Sequence, residues 1–151
     1  MNDKALKLAA DLCRRFEGLR LKPYLCPAGI PTIGYGSTRY ANGKPVKLSD
    51  KPISQIKANE LLMVTLERDY LPGVLKLSAG LQDHPEALAA ITDFAYNLGL
   101  TKYAGSTFRK KVDAKDWSGA RGELAKWIYG GGKVLPGLVA RRAAEAELIK
   151  P

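Results

Sequence analysis

Apolar residues recur at helical spacing over residues 3 to 16, where Leu6, Leu8, Ala9, Leu12, Cys13 and Phe16 fall largely on one face with charges opposite. The pattern predicts a first helix ending near Glu17-Gly18, where glycine can terminate it. From Gly18 to about Pro45 the pattern breaks: Pro23, Pro27, Pro31, Gly34, Gly36 and Gly43 punctuate short runs containing Tyr24, Thr32, Ile33 and Tyr35. Short strands and tight turns fit such a stretch better than helix. Helical spacing returns from Ile53 to about Val74 through Ile56, Leu61, Leu62, Leu66 and Leu71, and Pro72-Gly73 is expected to interrupt or end it. Four more helices are expected over Pro85 to Leu98, Ser106 to Val112, Trp117 to Tyr129 and Pro136 to Ile149. Ser106 suits an N-cap and Pro136 a helix start.

Helix, small β-hairpin lobe, long helix and helical lobe make an α+β plan, expected to form one domain over residues 1–151. The hairpin lobe falls at about 18–50, the connecting helix at about 53–74 and the helical lobe at about 82–150. A cleft between two such lobes is a natural ligand site. A chain of 151 residues can bury a hydrophobic core without disulfides or metals, and 46% apolar with 26% charged residues excludes a disordered or fibrous class. The longest apolar stretches, such as Leu61 to Val64 and Gly137 to Ala140, fall far short of the roughly 20 residues that span a bilayer.

Charge narrows the partners without choosing one. The net charge is +9; residues 102 to 151 carry 11 Lys+Arg against 5 Asp+Glu, or +6, and the rest 13 against 10, or +3. Such a field attracts polyanions, whether nucleic acid, anionic lipid head groups or an acidic bacterial envelope. Residues 1 to 17 are interrupted by Asp3, Lys4, Lys7, Asp11, Arg14 and Arg15, so no secretory signal is expected. Cys13 and Cys26 are too few for a disulfide framework and lack zinc-site spacing, so a reduced state and no metal are expected.

The densest chemistry lies between Glu17 and Thr38. A carboxylate leaves the end of a helix, the thiol of Cys26 follows nine residues later on a turn-prone segment, and the hydroxyl of Thr32 six after that. Reversing the chain through a hairpin could gather all three around one point. Glycoside hydrolysis requires such a set: an acid to protonate the leaving oxygen and a second group across the sugar ring to direct water or attack. Residue by residue, Glu17 reads equally as an exposed helix-end carboxylate, Cys26 as a small buried hydrophobe and Thr32 as a strand residue, and spacing alone does not separate these readings.

The stretch resembles the E-x8-[D/C]-x5-T signature of phage-type lysozymes of glycoside hydrolase family 24, matched by Glu17, Cys26 and Thr32 and followed by a T-x-G-x-G turn at Thr32, Gly34 and Gly36. The likeness continues through Ala90 to Gly99, Ser106 to Lys111, Trp127 to Lys133 and Gly137 to Ala146, in order along nearly the whole chain. It implies a lysozyme-like fold and a muramidase that cuts the β-1,4 bond between N-acetylmuramic acid and N-acetylglucosamine without a cofactor. Glu17 would be the general acid, partly buried so that it stays protonated near the working pH, with Cys26 and Thr32 across the ring. Two positions depart from the commoner pattern: Cys26 stands where Asp is usual, and Ser37 where many relatives carry His. A thiol is a poorer base than a carboxylate at neutral pH but, once ionised, a stronger nucleophile.

Outside the signature, Tyr35, Asn97 and Arg141 are the expected substrate contacts, with Phe94, Tyr96 and Tyr103 as further candidates and Phe94 also suited to the core. Arg141-Arg142 suits either a steadying partner of Glu17 or a solvated helix face. His84, before Pro85, reads as a surface residue. The expected partner is bacterial peptidoglycan, with an anionic outer-membrane surface as a second; no nucleic acid is expected, since no groove-reading motif is present, and the chain is expected to be a monomer. The resemblance places the protein in the host cytoplasm, acting on the wall after a separate membrane lesion. The rival readings are a lytic transglycosylase, a basic module that binds envelope polymers or nucleic acid without cutting them, and membrane disruption by cationic C-terminal helices.

Overall fold

The computed structural model describes residues 2 to 150. Helix α1 (Asp3–Phe16) buries Ala5, Ala9, Ala10, Leu12 and Cys13, the face that its apolar spacing marks. The chain turns out of it at Gly18, whose φ of +53° is a conformation that glycine adopts without steric cost. Strands β1 (Arg20–Leu25) and β2 (Pro31–Gly34) pair antiparallel, with Tyr24 opposite Thr32 and Leu25 opposite Pro31, and an irregularity between Arg20 and Tyr24. This hairpin lobe has its own small core of Ile33, Val46 and Leu61, with Tyr40 and Ile53 packed against it.

Helix α2 (Gln55–Thr65) starts at Ser54, whose side chain accepts the backbone N–H of Lys57. Pro72 does not end the connecting helix. Proline cannot donate to the carbonyl four residues back and its ring crowds that turn. The chain widens into a π-helical turn over Leu66–Tyr70, where the N–H of Leu71 reaches the Leu66 carbonyl, and continues as α3 (Leu71–Leu77). The connection therefore runs to Leu77, beyond the expected limit at 74.

Helix α4 (Pro85–Leu98) is the centre of the helical lobe: every residue from Ala87 to Ala95 is buried. It packs on α1 and on α8 (Pro136–Leu148). Between them lie α5 (Leu100–Ala104), α6 (Thr107–Asp113, capped by Ser106) and α7 (Trp117–Leu124). Phe94, Phe108, Tyr103 and Trp127 meet edge to face at centroid distances of 5.1 to 6.3 Å and fill the lobe. The helix expected to reach Tyr129 stops at Leu124, because Tyr129 belongs to a two-residue strand, β3 (Tyr129–Gly130), that pairs with β4 (Lys133–Val134) across Gly131-Gly132. Helix α5 and a 3-10 turn at Ala79–Asp83 are too short to leave a periodic signal in the sequence. Among the described residues no helix is long and apolar enough to cross a membrane.

Candidate active site

Glu17 is the residue at which α1 stops: its backbone N–H still bonds the Cys13 carbonyl, while its side chain leaves the helix. The hairpin then carries the chain back. Cys26 opens a turn closed by the Gly29 N–H on the Cys26 carbonyl, with Pro27 at the position that proline presets. Thr32 follows on β2, 2% exposed, its hydroxyl donating to the Ile30 carbonyl at 2.8 Å. Glu17, Cys26 and Thr32 all line one cleft of about 640 Å³, walled by Tyr24, Tyr96 and Asn97 and, on the far side, by the π-helical turn of the connecting helix.

Cys26 is partly exposed, whereas Cys13 is fully buried. Backbone hydrogen bonding from Ile30, aided by that from Ala28 and by the Thr32 hydroxyl, outweighs desolvation and holds the Cys26 thiol below its usual range. Burial, and then the negative charge of Asp93, push the Cys13 thiol well above it. One thiol is thus accessible on the cleft with its ionised form favoured, and the other is closed off.

Gly36 is set by Glu17. Its φ is +89°, and a Cβ there would lie 3.2 Å from Glu17 Oε1 and 3.5 Å from the Tyr96 hydroxyl. The turn therefore passes against the carboxylate only because residue 36 has no side chain. Gly36→Ala is expected to lose roughly 1–3 kcal/mol of stability through left-handed strain. It should also lose activity beyond what the folded fraction explains, since the new methyl displaces Glu17. Thermal denaturation beside wall-clearing rates per folded molecule checks both; undiminished activity would show that Glu17 need not sit where it does.

The charged partner of Glu17 arrives from the other end of the chain. Arg141 Nη1 donates to Glu17 Oε2 at 2.7 Å, while Nη2 and Nε hold Asp93 at 2.7 and 2.9 Å. Cys13 Sγ donates to Asp93 at 3.2 Å. Arg141 is 3% exposed, so it is a buried bridge between two acids. This corrects the expectation that it contacts substrate and supports the other one, that it steadies Glu17. The contact stabilises negative charge on a carboxylate that sits at the negative end of the α1 dipole. Beside it, Arg142 Nη2 donates to Asn97 Oδ1 at 2.7 Å, and its Nε lies 2.6 Å from Glu145 Oε1. Arg142 and Glu145 are as buried as Arg141, so this face of α8 is interior rather than solvated.

Tyr35 is a second correction. It is 5% exposed within the main core, and what it brings to the site is its carbonyl, which accepts the Tyr96 hydroxyl at 2.7 Å. Phe94 and Tyr103 are fully buried, the latter sharing a hydrogen bond with Ser78. Asn97 does line the cleft, although its carbonyl oxygen is taken by Arg142. His84 stacks near Trp117, away from the cleft. Asp93 and Glu145 are the charged neighbours that sequence reading does not single out. The signal for Asp93 is its place in an otherwise apolar or small run from Ala87 to Ala95, where a charge must find a buried partner. Among the described residues, no group of three or more His, Cys, Asp or Glu side chains is disposed to hold a metal ion.

Comparison with known proteins gives a consistent result. A family model described as phage lysozyme matches residues 14–145. The endolysin of Acyrthosiphon pisum secondary endosymbiont phage 1 is 35% identical over 143 residues, covering 92% of each chain. The SAR-endolysin of Bacteriophage PS119 is 33% identical over 136 residues, covering 87% of this chain and 75% of its own. The solved structure of an endolysin from Escherichia coli O157:H7 phage FAHEc1 aligns with a TM-score of 0.79 at 32% identity, covering 95% of this chain and 90% of the other.

Proposed function

The chain belongs to the phage lysozyme family, and on that premise we propose that it is an endolysin hydrolysing the β-1,4 bond between N-acetylmuramic acid and N-acetylglucosamine of bacterial peptidoglycan, with Glu17 as its general acid. The observation that carries the assignment of roles is the position of Glu17: a carboxyl on the wall of the inter-lobe cleft, oriented by a buried arginine, with Cys26 and Thr32 lining the same cleft. Glu17 protonates the glycosidic oxygen as the bond to the anomeric carbon breaks. Cys26 and Thr32, on the hairpin, hold the water that completes the reaction from the opposite face of the ring. Tyr24, Tyr96 and Asn97 supply hydroxyl, aromatic and amide groups suited to sugar faces and edges.

Purified peptidoglycan tests the reading. Loss of turbidity is expected, with products bearing a reducing end formed by water. Anhydro ends would instead identify a lytic transglycosylase, and binding without clearance a non-catalytic module. The protein is expected to reach the wall through a membrane lesion made by another agent.

The surface charge serves approach rather than chemistry. Arg141 and Arg142 are buried against acids, and the cations left exposed in the C-terminal third include Lys102, Lys110, Lys115, Lys126, Lys133 and Lys150. Activity on whole walls is therefore expected to fall as ionic strength rises past roughly 0.1 M, where charges more than about 10 Å apart are screened. Cleavage of a short neutral oligosaccharide should fall much less. Equal salt sensitivity of the two substrates would remove this role for the net charge.

A further inference from the structure

Two buried acids and two buried guanidiniums meet behind the cleft, where the partly exposed Glu17 joins them. Glu17 comes from the end of α1, Asp93 from α4, and Arg141, Arg142 and Glu145 from α8. The four buried groups form two ion pairs, Asp93 with Arg141 at 2.7 Å and Glu145 with Arg142 at 2.6 Å, so the buried charges answer one another and Glu17, on the cleft side, is the acid left over. Burial, and then the hydrogen bond to Asp93 and its charge, push the Glu145 carboxyl well above the usual carboxylate range. Burial would raise Asp93 too, but hydrogen bonds from Glu145 and Arg141 outweigh it and hold Asp93 below that range.

We propose that Asp93 is a positioning residue for the acid: by its two-point hold on Arg141, it keeps the guanidinium from becoming the undivided counter-ion of Glu17. The inference rests on Glu17 being the acid. Three of the five polar hydrogens of Arg141 are directed, two at Asp93 and one at Glu17. The arginine thus orients the acid with one hydrogen bond while most of its charge is answered elsewhere. The remaining titratable groups facing this set are the Cys13 thiol, on Asp93, and the hydroxyls of Tyr24, Tyr70 and Tyr96, which feel Glu17. Burial raises the pKa of all four, so each stays neutral and adds no charge to the set.

The test is the pH–rate profile of Asp93→Asn, which keeps the shape and an acceptor oxygen but drops the charge. With Arg141 left to Glu17 alone, the carboxylate is favoured, and the alkaline limb of kcat/KM is expected to move toward lower pH by about one unit. A purely structural role would lower the rate or the melting temperature and leave the limb in place, and that result overturns the proposal. Infrared spectroscopy supplies a second arm that does not depend on activity. The carboxyl band of Glu17, identified by its loss in Glu17→Gln, should ionise at lower pH in Asp93→Asn than in the parent. An unmoved midpoint overturns the proposal, and Asp93→Ser, which also drops the charge, serves should Asp93→Asn fail to fold. Glu17→Gln measured alongside separates the two levels. An active Glu17→Gln removes the acid assignment itself, whereas an inactive one with an unmoved Asp93→Asn limb removes only the role given to Asp93.

Discussion

Glu17→Gln is expected to fold like the parent and to lose peptidoglycan hydrolysis by about a thousandfold, the scale of a positioned general acid. The amide fills the same space but has no acidic proton for the leaving oxygen. Folding should survive because the substitution does not strand Arg141. Two of the guanidinium's hydrogen bonds go to Asp93, and the amide oxygen can still accept the third. Glu17 itself keeps 23% of its side chain in contact with solvent, so the lost ion pair is partly screened and worth on the order of 1 kcal/mol or less. For a chain of this size that is a shift of a few degrees in melting temperature. Turbidity loss of purified walls and a thermal melt on the same sample check both halves. Clearance at a rate near that of the parent would end the assignment of Glu17.

Cys26→Ala is expected to lose about a hundredfold in rate, because it leaves the water without its partner on the hairpin. Cys26→Asp restores the commoner family residue and should retain substantial activity. The two differ in pH dependence. In the parent, the acidic limb follows ionisation of a thiol that backbone hydrogen bonds from Ile30 hold below its usual range, so activity rises with pH through that value. A carboxyl with an ordinary pKa of about 3.9 is already ionised far below it, so Cys26→Asp should move the acidic limb toward lower pH. Alkylation should reproduce the alanine result and act at Cys26 alone, since Cys13 is fully buried with its thiol pushed well up. Cys13→Ser, which can still donate to Asp93, should remain active and remain sensitive to the reagent. A water held by Cys26 gives a product with inverted anomeric configuration, the expected result; a retained configuration would instead identify the thiolate as a nucleophile that forms a glycosyl-enzyme intermediate. Full activity in Cys26→Ala would leave Glu17 and Thr32 as the reacting groups.

The signature was legible because its three members lie close together in the chain. Glu17, Cys26 and Thr32 are brought to one cleft by a helix end, one turn and one strand, and each of those has a local cause: the apolar stripe of α1, Gly18, and Pro27 at the corner of the hairpin turn. The starts of α4, α6 and α8 were legible for the same reason, since Pro85, Ser106 and Pro136 act within their own turns. Pro72 left two outcomes open, an interruption or an end of the helix, and the interruption is what occurs: a π-helical turn accommodates the proline and the chain continues as α3, packed on α4.

What tertiary structure alone decided is the environment of the acid. Arg141 stands 124 residues from Glu17 and 48 from Asp93, and no periodicity relates them. Spacing tells which face of a helix is apolar, not which distant helix that face will meet. An Arg-Arg pair on a helix reads either as a steadying partner of Glu17 or as a solvated face, and since charges are usually solvated, spacing alone does not choose. On α8 the same residues are interior, since α1 and α4 close over them and each guanidinium there finds an acid. Tyr35 fared likewise: its place in the turn suggested a sugar contact, and its ring went into the core while its carbonyl faced Tyr96. The sequence by itself determined that Glu17, Cys26 and Thr32 come together, because hairpin and helix-end geometry are set within a few residues. Only the packing of α1, α4 and α8 decided what holds the acid, because burying a charge requires a partner that the chain supplies from far away.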